Sequence, residues 1–210
     1  MATRTDIIAK TYKCLDEVYP DAPLSSDIDE FHIEDFVDDA IRFIGRVAPV
    51  RALGEGTSFI PEAPKAEGEG AATTTTTTAS DSYLRVNPVP LPAGFVRLVA
   101  FQMSDWALPV TDALYSDSPR YQQQADPILM GTTKRPVVFV CDGDKNLEYY
   151  SSTGTIKKAQ AFVVSTTHEY PEQLSNVIAW KTTEMVLSVM NDAQAVQFAQ
   201  AQLKQLFEAL

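Results

Sequence analysis

The sequence is poor in the residues on which most catalytic and metal sites depend. Its 210 residues include two histidines, His32 and His168, and two cysteines, Cys14 and Cys141. The cysteines lie in unrelated segments without CxxC or metal-ligand spacing, which favours reduced thiols and leaves a disulfide between them open. Neither histidine lies in a local signature of nucleophilic catalysis. We therefore expect no enzymatic activity, no catalytic or metal-binding residues and no cofactor.

Positive charge is scarce as well. The chain has 17 Lys and Arg against 28 Asp and Glu, so its formal net charge is −11. Proteins that hold nucleic-acid phosphates or an anionic membrane surface need clustered positive charge. Both classes are therefore disfavoured, whereas a protein that lets DNA slide past without binding it remains compatible with the composition.

Long apolar runs are the third feature that the sequence lacks. No stretch reaches the roughly 18 apolar residues of a membrane helix, and the first residues lack the apolar core of a signal peptide. We expect a chain that stays in the compartment of its synthesis and has no membrane partner. Hydrophobic residues still make up 45% of the sequence, enough to bury a core without disulfides or metal.

Helical spacing near the N terminus predicts a hairpin of two helices within residues 5–53, ending near Pro49. Ser25 or Ser26 is the expected cap of the second helix. The apolar stripe expected on the first helix consists of Ile8, Tyr12, Leu15 and Tyr19. The buried face expected on the second consists of Ile33, Phe36, Val37, Ala40, Ile44 and Val47.

The middle of the chain changes character twice. Residues 61–82 are rich in Pro, Gly, Ala and Thr, including the run Thr73 to Thr78, and predict a long low-complexity loop. Residues 83–168 alternate β-forming runs with turn residues, which predicts a mostly antiparallel β-rich insert. Within it, Asp142 and Gly143 mark a β-hairpin. With helices on either side, the predicted fold class is α+β, in a single domain over residues 1–210.

Residues 171–210 contain apolar residues at helical spacing and no Gly, with Pro only at 171. They predict a long C-terminal helix, which Asn191 and Asp192 are able to break in two. Unbroken, it would span about 60 Å at 1.5 Å per residue, longer than a domain of this size needs internally. We therefore expect it to dock on another protein. Its candidate docking residues are Val196, Leu203, Leu206, Phe207 and Leu210.

Eight carboxylates between Asp21 and Asp39 carry most of the net negative charge, without a Lys or Arg among them. A solvated helix face is one interpretation. The others are a divalent-ion site, a surface for a basic partner, or the wall of a channel. The candidate electronegative residues are Asp27, Asp29, Glu34, Asp35, Asp38 and Asp39.

Residues 91–140, followed by LEYYSS, resemble a segment of the head-to-tail connector proteins of tailed bacteriophages, most of all the ring proteins of crAss-like podoviruses. The resemblance depends on the order of short motifs, and its flanking helices are similar to those of portal adaptor proteins. These motifs are Leu91-Pro92, Phe95-x-Arg97-Leu98, Ser104-x-Trp106, Ser118-Pro119-x-Tyr121, Gly131 and Pro136-Val137.

The resemblance implies a structural virion protein that is made in the bacterial host cytoplasm. Such a protein is a homo-oligomer, a ring of twelve copies between the portal and the tail, around the channel through which genomic DNA passes during packaging and ejection. Its partners are the portal protein and the neighbouring connector or tail rings. The net negative charge suits a channel wall that must not bind DNA phosphates tightly.

Two alternatives from other classes use the acidic segment instead. One is a non-viral acidic module that binds a basic protein partner. The other is a protein with a carboxylate or divalent-metal site.

Overall fold

The computed structural model describes residues 1–20, 33–60, 88–126, 128–150 and 152–210. Its helices are α1 (Arg4–Val18), α2 (Ile33–Val47), α3 (Pro119–Gln122), α4 (Glu172–Val189) and α5 (Ala193–Glu208). Its strands are β1 (Thr57–Ser58), β2 (Val89–Pro90), β3 (Phe95–Met103), β4 (Leu114–Tyr115), β5 (Val138–Cys141), β6 (Asn146–Tyr149) and β7 (Ile156–Val163). The α+β class predicted from the sequence is confirmed. The predicted low-complexity loop, the run Thr73 to Thr78 and the expected cap at Ser25 or Ser26 lie outside the described residues.

The chain divides into two units by its internal contacts. The first, here called the helical unit, comprises Met1–Thr57, Ala93–Arg97 and Phe162–Leu210. The second, here called the β unit, comprises Ser58–Pro92 and Leu98–Ala161.

Helix α4 is the centre of the helical unit, because α1, α2 and α5 all pack on it. Nearly its whole circumference is buried, as expected for a helix surrounded by others. Two of its buried residues are threonines, Thr182 and Thr183. Each hydroxyl donates a 2.9 Å hydrogen bond to the carbonyl four residues earlier, so neither polar group is left unsatisfied.

Helix α1 begins with a capping box. The Thr3 hydroxyl accepts from the backbone N–H of Asp6, and the Asp6 carboxylate accepts from the backbone N–H of Thr3. The apolar stripe predicted for this helix is partly wrong. Its buried residues are Ile7, Thr11, Cys14 and Leu15. Thr11 is able to occupy the interior because its hydroxyl donates to the Ile7 carbonyl.

The prediction of one long helix over residues 171–210 is wrong, and the alternative break at Asn191 and Asp192 is confirmed. Asn191 adopts a positive φ of 58°, which ends α4. Asparagine tolerates this left-handed conformation better than most residues. The Asp192 carboxylate then caps α5 by accepting from the backbone N–H of Ala195 at 3.0 Å. Because the chain turns there, α5 packs back on α4.

The strands form two sheets. One has three strands in the order β1-β7-β3, and the other has four in the order β2-β6-β5-β4. In the second sheet, β6 is antiparallel to β2 and β5, while β4 is parallel to β5. The predicted hairpin is confirmed: Asp142, Gly143 and Asp144 all have positive φ in the turn between β5 and β6.

Candidate functional site

The acidic face of α2 is partly neutralised by Arg4 of α1. The Arg4 Nε donates to Asp38 Oδ1 at 2.7 Å, and its Nη1 donates to Glu34 Oε2 at 3.0 Å. A third bond joins its Nη2 to the backbone carbonyl of Glu34 at 3.1 Å. The hydrogen bond to Asp38 raises the pKa of Arg4. Two of the six predicted electronegative residues therefore stabilise the packing of α1 on α2.

The other predicted acidic residues divide into three cases. Asp39 pairs with Arg42 one turn later, at 3.0 Å between Oδ1 and Nη1. Asp35 is exposed on the first turn of α2, where a carboxylate complements the helix dipole. Asp27 and Asp29 lie outside the described residues. Within the described part of α2, Asp35 is the cleanest position at which to test an electronegative surface.

The predicted docking residues of α5 belong to a helix that is already partnered. Val196, Leu203, Leu206, Phe207 and Leu210 are all half-buried. Ala195 and Ala199 are buried, Phe198 meets the Trp180 ring edge-on at 6.0 Å, and Gln200 donates to Glu184 of α4 at 2.8 Å. Removing α5 would therefore expose part of the core of the helical unit. That these five residues dock on another protein stays a prediction.

A groove between α2 and α4 is the most conspicuous apolar surface of the helical unit. It encloses about 520 Å³. Its apolar lining is Phe43, Val47 and Met185, of which Phe43 and Val47 have exposed fractions of 49% and 50%. Large side chains left half in water on two adjoining helices mark a surface suited to a protein partner.

The rim of this groove is mainly cationic. Arg42, Arg46 and Lys181 line it together with one carboxylate, Asp39. The Lys181 Nζ lies 4.5 Å from the centre of the Phe43 ring, close enough for a cation–π contact. Lys181 also pairs with Glu184 at 2.6 Å. Because Asp39 pairs with Arg42 and Glu184 with Lys181, the local excess is one positive charge, that of Arg46, on a chain with a net charge of −11.

The β unit presents an apolar surface of the opposite shape, a loop tip formed by Ile128 and Leu129. Their exposed fractions are 90% and 55%. The buried Gln124 holds the loop: its Nε2 donates to the Arg120 carbonyl at 2.9 Å, and its Oε1 accepts from the Gly131 N–H at 2.8 Å. Gln124 therefore connects the two sides of the loop, which carries two large apolar side chains into solvent.

Asp126 completes the loop tip. Its Oδ1 accepts from the Ile128 N–H at 2.8 Å, and its carbonyl accepts from the N–H groups of Leu129 and Met130. An acidic side chain thus stands directly beside the two exposed apolar residues.

The two cysteines are free and buried, and neither has the environment of a nucleophile. Burial raises the pKa of each thiol to about 12. Reactive thiols need the opposite shift, toward the thiolate. Cys141 packs with Phe139 and Tyr150 beside Glu148, to which the Tyr150 hydroxyl donates at 3.2 Å. This cluster is therefore typical of a hydrophobic core whose polar groups have hydrogen-bond partners.

Within the described ranges, no three or more His, Cys, Asp or Glu side chains are placed to hold a metal ion. In the acidic turn after β5, the Asn146 amide donates to Asp142 Oδ2 at 2.8 Å, so these side chains bind each other. No helix in the part of the chain that the structure describes is long and apolar enough to cross a membrane.

Sequence reasoning missed both apolar surfaces. Val47 was assigned to the buried face of α2, whereas half of its side chain is exposed, because Ile41 and Gly45 take the buried positions instead. Phe43 was not assigned at all. The signal for the loop was the run of apolar residues before Gly131, a composition that is uncommon in an exposed turn.

Several residues that carry the phage-connector resemblance have structural roles in the β unit, while two of them, Phe95 and Arg97, belong to the helical unit. Ser118 caps α3 and Pro119 begins it. Trp106 is buried and meets Phe101 edge-on at 5.7 Å, and Tyr121 meets Phe139 edge-on at 5.1 Å. These motifs therefore describe how this part folds. No family model, no curated protein and no solved structure matches the chain.

Proposed function

We propose that this chain is a structural virion protein that forms a ring in the head-to-tail connector of a tailed bacteriophage, below the portal. The single observation that carries the proposal is the charge-rimmed apolar groove between α2 and α4. A surface of this kind costs free energy when it stays in water, and assembly into an oligomer removes it. The motif resemblance in residues 91–140 supplies the connector as the setting.

The remaining elements of the proposal follow from that setting. The ring contains twelve copies and contacts the portal and the neighbouring connector or tail rings. Genomic DNA passes through its channel without specific binding, which is consistent with a net charge of −11. The protein is made in the host cytoplasm and ends in the virion.

The test is the oligomeric state of the full chain. We expect light scattering and mass photometry to give one closed species of twelve copies of the 23.1 kDa chain. Negative-stain images should show annular particles of one diameter. A chain that stays monomeric up to millimolar concentration would refute the ring.

A matched pair of charge variants tests the acidic surface separately. Asp35→Lys reverses an exposed charge without disturbing the Arg4 bonds, whereas Asp38→Lys removes one of them. If the surface faces DNA or a basic ring, Asp35→Lys slows genome delivery, while its melting temperature falls only by the small loss of the helix-dipole interaction and less than that of Asp38→Lys. If the Asp35→Lys variant delivers its genome normally, this face of α2 is a solvated surface without a role in delivery.

A further inference from the structure

We infer that neighbouring copies join through a heterologous contact, in which the loop tip of one copy (Asp126, Ile128 and Leu129) inserts into the α2–α4 groove of the next. The inference rests on the proposed function, because it names the contact that would build the ring. Its occupant is a second copy of this chain, and three features of the two surfaces support it.

The first feature is shape and polarity. The groove is concave, encloses about 520 Å³ and has Phe43, Val47 and Met185 as its apolar lining. The loop tip projects Ile128 and Leu129 into solvent, with 90% and 55% of their areas exposed. A projecting apolar pair and an apolar groove on the same chain remove each other from water when they meet.

The second feature is charge. Of the three cationic side chains on the rim of the groove, Arg42 pairs with Asp39 and Lys181 pairs with Glu184, which leaves the exposed Arg46 to attract an acid. The loop tip carries the Asp126 carboxylate next to its apolar pair. An acid entering beside Ile128 would meet that rim, and complementary charges of this kind fix the orientation of a contact. Carboxylates exposed on the helical unit would also be attracted by the positive rim of the groove. They do not stand beside the apolar pair Ile128 and Leu129, so they match the groove less well.

The third feature is preorganisation. Gln124 joins the Arg120 carbonyl to the Gly131 N–H, and Asp126 accepts from the Ile128 N–H, so the described residues of the loop are held by hydrogen bonds within one copy. These bonds limit the conformational entropy that those residues lose when they dock.

The two surfaces are different patches of one chain, so the contact between them is able to build two kinds of assembly. When each copy gives its loop to one neighbour and its groove to another, the contact is heterologous and generates a ring if the rotation closes. When two copies exchange loops, the same contact is made twice and gives a closed twofold dimer. The ring of the proposed function requires the first arrangement, and a wild type that stops at two copies would overturn the heterologous contact.

Two paired variants test the contact. The loop variant is Ile128→Gln with Leu129→Gln, and the groove variant is Phe43→Gln with Val47→Gln. Both replace two exposed apolar side chains by glutamine without changing the charge. The matched control is Leu108→Gln, which alters another exposed apolar residue of the β unit (72% exposed). Leu108→Gln should melt as the wild type does. The two paired variants should melt a few degrees lower and remain folded at the temperature of the assay, because Phe43, Val47 and Leu129 are about half-buried.

The result expected is complementation. Each paired variant alone should be monomeric, with self-association at least about tenfold weaker, since central apolar anchors dominate such contacts. Mixed in equal amounts, the two should form a 1:1 dimer and nothing larger, because one intact loop and one intact groove remain. The Leu108→Gln chain should assemble as the wild type does.

Other outcomes overturn the inference. Wild-type rings that persist in either paired variant would exclude this contact while leaving the ring itself in place. Monomeric variants that fail to dimerise when mixed would exclude the pairing of loop with groove. A monomeric wild type would refute both the contact and the proposed function.

A separate variant tests the contribution of charge to the contact. Asp126→Asn retains an acceptor for the Ile128 N–H and removes only the charge. It should weaken assembly several-fold, and the loss should shrink at high salt, where rim charges are screened. If Asp126→Asn assembles as the wild type does at low salt, charge does not contribute to the contact, and a second copy of this chain is no longer the preferred occupant of the groove.

Discussion

Gly45 offers a sharp test of the helical unit, because local and tertiary reasoning predict opposite signs for the same substitution. It lies inside α2, where replacing glycine by alanine normally stabilises a helix by about 1 kcal/mol. In the structure, however, a Cβ added at Gly45 would lie 2.6 Å from both Cδ1 and Cε1 of Phe162. The Val96 Cγ1 would be 3.0 Å away.

The Phe162 ring cannot move aside cheaply. It is fully buried and meets the rings of His168 and Tyr170 edge-on, at 5.8 and 5.6 Å between centroids. Overpacking of a filled core typically costs about 1–3 kcal/mol. With two ring atoms in steric conflict, the upper part of that range applies, and the helix gain offsets part of it. We expect Gly45→Ala to lower the free energy of unfolding by about 1–2 kcal/mol.

The assay is chemical and thermal denaturation of the wild type, Gly45→Ala, Phe162→Leu and the double variant. A loss of this size corresponds to a fall in melting temperature of about 2–8 °C. In the Phe162→Leu background the steric conflict is relieved, so Gly45→Ala should become neutral or stabilising, and the cycle should show a coupling of at least about 1 kcal/mol. A rise in melting temperature for Gly45→Ala alone would refute the close packing of α2 on this ring.

Three further predictions concern charge and titration. Arg4→Gln removes three hydrogen bonds to α2 and should lower the free energy of unfolding, measured in urea, by about 1–2 kcal/mol. The control Arg42→Gln breaks an exposed ion pair and should lower it by less than about 0.5 kcal/mol. Equal losses would contradict the role assigned to Arg4. Burial lowers the pKa of His168 below 6.5, so the unfolded state binds a proton before the folded state does, and the free energy of unfolding falls as the pH drops through 6.5. His168→Gln should flatten this part of a profile of melting temperature against pH. Parallel profiles of the variant and the wild type would contradict the role of His168. Since burial raises the pKa of Cys14 and Cys141 to about 12, both thiols should react with a disulfide reagent at pH 8 only after denaturant is added, and rapid labelling of either native thiol would contradict their burial.

The elements that the sequence predicted correctly are those with local causes. The hairpin between β5 and β6 follows from Asp142, Gly143 and Asp144, because these residues accept the positive φ that the turn requires. The sequence also allowed a helix break before α5, for a similar reason. Asn191 tolerates the left-handed conformation and Asp192 is a good helix cap.

The candidate site was predicted less well, because its properties depend on residues far apart in the chain. The acidic face of α2 is partnered by Arg4, which binds Glu34 and Asp38 from 30 and 34 residues away. The buried face of α1 includes Thr11, whose hydroxyl is satisfied by the Ile7 carbonyl of the same helix. Hydrophobic periodicity records neither kind of compensation.

The α+β class, the hairpin at Asp142 and Gly143, the low-complexity composition of residues 61–82 and the net charge of −11 are determined by the sequence alone, because each depends on local patterns or on simple counts. Only the tertiary structure decides which surfaces are available. α5 packs back on α4, which removes the long helix that was expected to project, while Phe43 and Ile128 remain exposed. The physical reason is that burial and charge neutralisation belong to pairs of distant residues, and a pair exists only once the chain has folded.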